Sequence, residues 1–147
     1  MANINQTLLI RTDLFSLPED TGLLAAQVAH IHFQVSRDML LEGLDDDGKA
    51  MIILDEKGEQ GEQGSDYEEW LKDPYLLVKR VPNLEALQYF REEANLSELP
   101  VAEWRDTVNV RLSATVKKAF EDVLVGISIG PCDSDKIRTV VGDIPLL

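Results

Sequence analysis

The sequence contains little cysteine, comparatively few basic residues and no long apolar run. Cys132 is the single cysteine among 147 residues, which excludes an intrachain disulfide and makes the cytoplasm the expected location. No apolar stretch approaches the length that crosses a bilayer, and the polar first residues lack the basic and apolar regions of a signal peptide. With 44% hydrophobic and 28% charged residues, the composition is globular. We therefore expect one domain over residues 1–147, without a membrane partner.

Acidic residues outnumber basic residues, and they are unevenly distributed. The formal net charge is -13, from 14 Lys and Arg and 27 Asp and Glu. Residues 42–69 hold 11 acidic residues and 2 lysines, so removing their -9 leaves -4 for the rest of the chain. Phosphate binding depends on clustered Lys and Arg, so the total charge argues against a polyanionic partner. The mildly acidic remainder nevertheless leaves tRNA open as a partner.

The acidic stretch is interpreted as a loop insertion at about residues 45–69. Its glycines Gly48, Gly58 and Gly64 lack the Asp-x-Asp-x-Asp-Gly spacing of a calcium-binding loop, so we predict no metal site there. Few apolar groups are available to offset the entropy of ordering. We therefore expect residues 45–66 to be loosely packed, and deletion of residues 58–64 to change stability little.

Short apolar runs alternate with helical patterns along the chain. Strands are predicted at about residues 6–12, 74–80, 100–106 and 123–130. Helices are predicted at about residues 23–44, from Asn83 onward, at 114–121 and at 134–140, with Asn83 and Asp133 as N-caps. This alternation implies a layered α/β domain.

The first predicted helix has an apolar stripe and a separate polar ridge. Gln27, His30 and Gln34 follow one another at spacings of three and four, which places them on one side of the helix. The apolar stripe, on another side, consists of Leu24, Val28, Ile31 and Val35.

Several segments, taken in order, match a known pattern. Residues 10–14 read Ile-Arg-Thr-Asp-Leu, and residues 22–30 carry a glycine followed by Ala-Ala-Gln-Val-Ala-His. Trp70 precedes a strand, Asp106 follows one, and residues 129–142 begin Ile-Gly-Pro before the closing helix. This ordered set resembles the peptidyl-tRNA hydrolase 2 superfamily, from about residue 8 to the end of the chain, excluding the acidic insertion.

The resemblance implies a fold, an activity and a set of site residues. The fold is a three-layer α/β/α sandwich on a four-stranded mixed sheet, and the activity is hydrolysis of the ester that joins a peptide to tRNA. No cofactor and no metal are implied. The implied catalytic residues are Asp106, His30 and Gln27. The candidate substrate-binding residues are Gly130 and Pro131 of the matching Ile-Gly-Pro segment, Arg11 and Asp13 at the end of the first strand, and Arg111, which could restore positive charge.

Two departures from the family pattern bear on activity. The lysine that precedes the family's Ala-Ala-Gln stretch is Leu23 here, and leucine can neither bind phosphate nor stabilise charge. The family's Asp-Ala-Gly-Arg-Thr-Gln run reads Asp-Thr-Val-Asn-Val-Arg at residues 106–111, so Val110 replaces a hydroxyl. Arg111, Lys117 and Lys118 could restore positive charge nearby. These departures favour weakened or lost catalysis.

The candidate residues also have structural interpretations. A histidine titrates near neutrality, which suits acid–base work, but His30 could equally bond a neighbouring loop. Asp106 could position a water or cap a loop. Arg11 and Asp13 stand where α/β folds bind ligands, or they could simply pair with each other. His32 is expected at the surface.

Three functions therefore stay open. The chain is an ester hydrolase acting on peptidyl-tRNA, a non-catalytic partner- or ligand-binding module on the same fold, or a small-molecule hydrolase or transferase using the same cleft. The partner is tRNA or a small ligand. The sequence does not fix the oligomeric state and leaves a homodimer open.

Overall fold

A single mixed sheet with helices on both faces forms the described part of the chain. The computed structural model describes residues 3–15, 19–42, 69, 70, 72, 75–111 and 117–147. The strands are β1 (Ile4–Arg11), β2 (Leu76–Val81), β3 (Val101–Arg111) and β4 (Lys117–Asp133). The helices are α1 (Thr21–Glu42), α2 (Leu84–Leu96) and α3 (Ser134–Val141).

The strand order is β2-β1-β4-β3, so β1 and β4 are central. β1 runs parallel to β2 and antiparallel to β4, and β4 runs antiparallel to β3. The predicted four-stranded mixed sheet of an α/β sandwich is confirmed. The carboxyl ends of β1 and β2 meet at one edge, where Arg11 pairs with Val81.

Alternation along β1 divides the core between two faces. Leu8 and Ile10 pack with Leu24 and Ile31 of α1 on what we call the α1 face. Leu9 points the other way, to the face that α2 and α3 cover, which we call the α2 face. Because both faces are covered, every residue of β1 is buried, including the consecutive apolar residues Leu8, Leu9 and Ile10.

Gly126 in β4 lets α1 approach the sheet. A Cβ at this position would lie 2.5 Å from Ile31 Cδ1 and 2.7 Å from the backbone oxygen of Leu9. Both distances are far inside van der Waals contact, so only glycine fits between the helix and the strand.

The predicted helix at residues 114–121 is wrong for the part that the structure describes. Residues 117–121 belong to β4, which pairs with an extension of β3: Phe120 lies opposite Val108, and Lys118 opposite Val110. Cross-strand hydrogen bonds satisfy this backbone, and such long-range pairing overrides local helix propensity.

Strand β4 also continues beyond residue 130, where the predicted strand ends, through Pro131 to Asp133. The predicted helix caps are confirmed. Asn83 accepts a hydrogen bond from the backbone N–H of Ala86, and Asp133 accepts one from that of Asp135.

The expected acidic insertion at about residues 45–69 falls almost wholly outside the described residues, and its loose packing stays a prediction. Within the residues that are described, no helix is long and apolar enough to cross a membrane.

Candidate functional site

Gln27 of α1 and Asp106 of β3 meet on the α1 face of the sheet. Gln27 Nε2 donates a hydrogen bond to Asp106 Oδ2 at 3.0 Å. The backbone N–H of Thr107 donates to Asp106 Oδ1 at 2.8 Å. Gln27 is buried and Asp106 is half-buried, so the carboxylate is held at the boundary between core and solvent by two N–H donors.

Trp104 determines which way the Gln27 amide points. The indole Nε1–H donates to Gln27 Oε1 at 2.6 Å. Because an indole nitrogen is a donor only, the amide oxygen faces Trp104 and the amide nitrogen faces Asp106. One tryptophan therefore fixes the orientation of the group that contacts the candidate carboxylate.

His30 lies three residues after Gln27 on α1, beside the same tryptophan. Its ring centroid is 5.1 Å from that of Trp104, with the planes tilted by 52°. The side chain is exposed, and its imidazole has no hydrogen-bond partner within the described residues. The structure thus brings Gln27, His30 and Asp106 together on one face, with Trp104 between them.

Arg11 and Asp13 lie at the same end of the sheet but on the α2 face. Arg11 Nε and Nη2 donate to Asp13 Oδ1 and Oδ2 at 3.0 and 2.8 Å, and Arg11 Nη1 donates to the backbone oxygen of Leu124 at 3.1 Å. This bidentate ion pair supports a structural role for both residues. Together with the Arg11–Leu124 bond, it connects the loop after β1 to β4.

A cavity of about 500 Å³ opens beside the Arg11–Asp13 pair. Its other polar lining residues are Gln88 of α2, and Arg105 and Asp122 of the β3–β4 hairpin. An apolar wall faces them, formed by Leu14, Leu84, Val108, Phe120, Val123 and Leu124.

Gly130 and Pro131 lie far from both groups. They are buried within β4 beside the start of β1, where an added Cβ on Gly130 would lie 2.6 Å from the backbone oxygen of Asn5. Asn5 and Arg11 are six residues apart along β1, or about 20 Å. Gly130 has φ +97, a conformation that glycine adopts without strain, so its evident contribution is to strand packing. Because β1 and β4 are antiparallel, Pro131 lies beside the start of β1 and Arg11 lies at its other end.

The other residues that the sequence analysis singled out are Leu23, Arg111, Lys117 and Lys118. Leu23 is 44% exposed at the start of α1, so an apolar side chain stands in solvent there. The side chains of Arg111 and Lys117 lie outside the described part of the chain. Lys118 sits over the Phe120 ring, with 5.0 Å from Nζ to the ring centroid.

His32 is not the surface residue that was expected. It is half-buried, its Nδ1 lies 2.8 Å from Gln6 Oε1, and its ring centroid is 5.6 Å from that of Trp70. Gln6 Nε2 in turn donates to Ser128 Oγ at 3.0 Å. The Gln6 oxygen can only accept, so His32 Nδ1 carries the proton, and the chain of bonds joins α1 to the sheet.

Comparison with protein families identifies the fold that carries these groups. The sequence model of the family described as Peptidyl-tRNA hydrolase PTH2 matches residues 4–147, nearly the whole chain. The chain belongs to the peptidyl-tRNA hydrolase 2 superfamily. A search of curated protein sequences found no match.

Membership establishes a peptidyl-tRNA hydrolase-like function at the level of the family, whose proteins act on tRNA substrates.

Sequence reasoning missed Trp104 as a member of the site. The signal was available, because Trp104 precedes Asp106 by two residues in a predicted strand and alternate residues share a face. Within the described residues no group of three or more His, Cys, Asp and Glu could hold a metal ion.

Proposed function

We propose that this peptidyl-tRNA hydrolase 2 protein hydrolyses the peptide–tRNA ester weakly, with Asp106, Gln27 and His30 as its catalytic group. The observation that carries the proposal is the contact between Gln27 Nε2 and Asp106 Oδ2 at 3.0 Å, next to a leucine in place of the family's lysine. The Gln27–Asp106 contact supports retention of the catalytic group. The leucine, Leu23, supports weaker binding of the substrate.

The retained group suits the positioning of a water molecule. Each Asp106 oxygen accepts one N–H, and a carboxylate has further lone pairs that can accept from water. Water held there can be directed at an ester carbonyl, which is the role that hydrolysis requires. The exposed imidazole of His30 supplies a proton donor or acceptor beside Trp104.

The missing lysine weakens the hold on a polyanionic substrate. Leu23 is exposed at the amino-terminal end of α1, and a leucine offers phosphate neither charge nor a hydrogen bond. Loss of one such cation costs transition-state binding worth roughly two orders of magnitude in rate. Val110 adds the loss of a hydroxyl from the family's loop.

A second candidate function is ligand binding without catalysis. The specific observation in its favour is the cavity beside the Arg11–Asp13 pair, whose lining does not include Gln27 or Asp106. Under this proposal Arg11 and Asp13 line a binding site for a small ligand rather than for tRNA. Location in the cytoplasm and formation of a homodimer stay predictions under both candidates.

Steady-state hydrolysis of peptidyl-tRNA at low salt tests the main proposal. The unmodified chain should turn over slowly, Asp106→Ala should reduce turnover to background, and Leu23→Lys should raise it roughly tenfold or more by restoring the cation. Leu96→Lys is the matched control, since Leu96 is also exposed on a helix but stands at the far end of α2.

The alternatives give different results in the same assay. Turnover at background in every variant, including Leu23→Lys, would favour the non-catalytic candidate. Robust turnover of the unmodified chain that collapses in Arg111→Ala and Lys117→Ala would show that the cationic clamp has moved to the β3–β4 hairpin.

A further inference from the structure

The cavity beside the Arg11–Asp13 pair stands where the topology favours a ligand. Asp13 and Leu14 follow β1, and Leu84 and Gln88 open α2 immediately after β2. In open α/β sheets, ligands bind outside the carboxyl ends of parallel strands. The volume of about 500 Å³ lies within the range of small-ligand sites.

The charges that line the cavity are balanced but only partly paired. Arg11 and Asp13 neutralise each other. Arg105 Nη1 donates to the backbone oxygen of Asp122 at 3.3 Å, and Arg105 Nε lies 3.5 Å from Glu103 Oε2. The Asp122 carboxylate accepts no hydrogen bond within the described residues. A ligand therefore meets a guanidinium with spare N–H donors and a separate carboxylate.

The rest of the lining suits an apolar group. Leu14 and Leu84 approach from the two strand ends, and Phe120, which is 39% exposed, approaches from the hairpin. The Gln88 amide also has no hydrogen-bond partner within the described part of the chain. Unpaired polar groups beside an apolar wall are typical of sites that orient a small amphipathic molecule.

We infer that this cavity binds an apolar amino acid or a short apolar peptide in zwitterionic form. The ligand carboxylate binds the forked guanidinium of Arg105, the ligand amine binds the Asp122 carboxylate, and the apolar side chain packs on Leu14 and Phe120. The charges of the described lining residues, Arg11, Asp13, Arg105 and Asp122, sum to zero, which suits a zwitterion and gives no net attraction to a phosphate. This binding does not depend on ester hydrolysis.

An NMR titration of the full chain tests the inference, with leucine and leucyl-leucine as separate probes. We expect saturable shifts at the amides of residues 84–88, 105 and 122–124. Arg105→Gln and Asp122→Asn should each weaken binding roughly tenfold by removing one charge-assisted contact. Asparagine suits position 122 because Asp122 has φ 53, which asparagine tolerates. The tighter probe identifies the natural ligand as amino acid or peptide.

Three further measurements make the test decisive. Arg138→Gln removes an exposed arginine that pairs with Asp135 at 3.5 Å but does not line the cavity, and it should leave binding unchanged. Thermal unfolding confirms that each variant is folded. Absence of saturable shifts with both probes would overturn the inference, as would equal binding of N-acetyl-leucine amide or unchanged binding in both Arg105→Gln and Asp122→Asn.

Discussion

Two sets of polar side chains lie near the carboxyl end of β1: those around the Gln27–Asp106 contact and those that line the cavity. They differ in how many of their polar atoms form hydrogen bonds. On the α1 face, Gln27 uses both atoms of its amide, one on Trp104 and one on Asp106. Beside the Arg11–Asp13 pair, the Asp122 carboxylate and the Gln88 amide border an open cavity and have no hydrogen-bond partner among the described residues.

This difference separates contributions to stability from contributions to binding. A buried and fully paired network rigidifies its surroundings, and breaking it leaves costly unsatisfied groups behind. Solvated groups at a cavity add little to folding and are available to a ligand. Substitutions of Gln27 or Asp106 should therefore affect both stability and chemistry, whereas those of Asp122 or Gln88 should affect binding alone.

The largest expected effect comes from separating α1 from the sheet. Gly126→Ala places a methyl group 2.5 Å from Ile31 Cδ1 and 2.7 Å from the Leu9 backbone oxygen. The strand backbone cannot yield easily, so we expect the free energy of unfolding to fall by about 3 kcal/mol. Denaturant unfolding followed by circular dichroism measures it.

The matched control is Gly22→Ala, at a helical glycine with nothing within 4 Å of an added Cβ. It should be neutral or stabilising by up to about 1 kcal/mol. Below the midpoint of unfolding, Gly126→Ala should lose hydrolysis but keep leucyl-leucine binding. Loss of both in equal proportion would show that the two faces are not independent.

An intermediate effect is expected from Gln27→Glu. The new side chain can still accept from Trp104, but it turns a carboxylate oxygen towards Asp106 Oδ2 where the amide donated at 3.0 Å. At neutral pH we expect a loss of about 2 kcal/mol of unfolding free energy from like-charge repulsion. The folded variant then holds a proton more tightly than its unfolded chain does, so the deficit relative to the unmodified protein should shrink as pH falls towards about 4.

Gln27→Leu provides the comparison, because it removes both hydrogen bonds without adding charge. Its deficit should vary less with pH than that of Gln27→Glu when both are measured by urea unfolding at matched pH values. A Gln27→Glu deficit that is flat between pH 7 and pH 4 would show that the two carboxylates do not face each other.

Periodicity predicted the strands and helices whose apolar residues lie on a single face, and it failed where pairing is non-local. Residues 117–121 have helical composition, yet they extend β4 because β3 supplies their backbone partners. No local pattern encodes that choice, since the hydrogen bonds come from the other arm of a hairpin.

The candidate site also depends on contacts between residues far apart in the sequence, which residue spacing does not predict. Helical spacing placed Gln27 on a polar ridge, but it is buried because its partners Trp104 and Asp106 arrive from a strand 77 and 79 residues later. His32 was expected at the surface for want of a partner at helical spacing, and its partner is Gln6 of β1. Which buried polar groups meet depends on tertiary register, which the spacing of residues along one helix does not contain.

The smallest expected effect on stability is that of Arg105→Gln. This variant tests most directly whether a cavity residue affects ligand binding without affecting stability. The Arg105 side chain is 43% exposed, and its ion pair with Glu103 spans 3.5 Å. Exposed pairs of this kind contribute little because solvent screens them and the side chains lose entropy. We expect the free energy of unfolding to change by less than about 0.5 kcal/mol while leucyl-leucine binding weakens. Urea unfolding and the NMR titration, performed on the same sample, measure the two quantities together. A stability loss comparable to that of Gln27→Glu would mean that Arg105 is a structural residue, and that the cavity residues contribute to folding stability as much as the Gln27–Asp106 contact does.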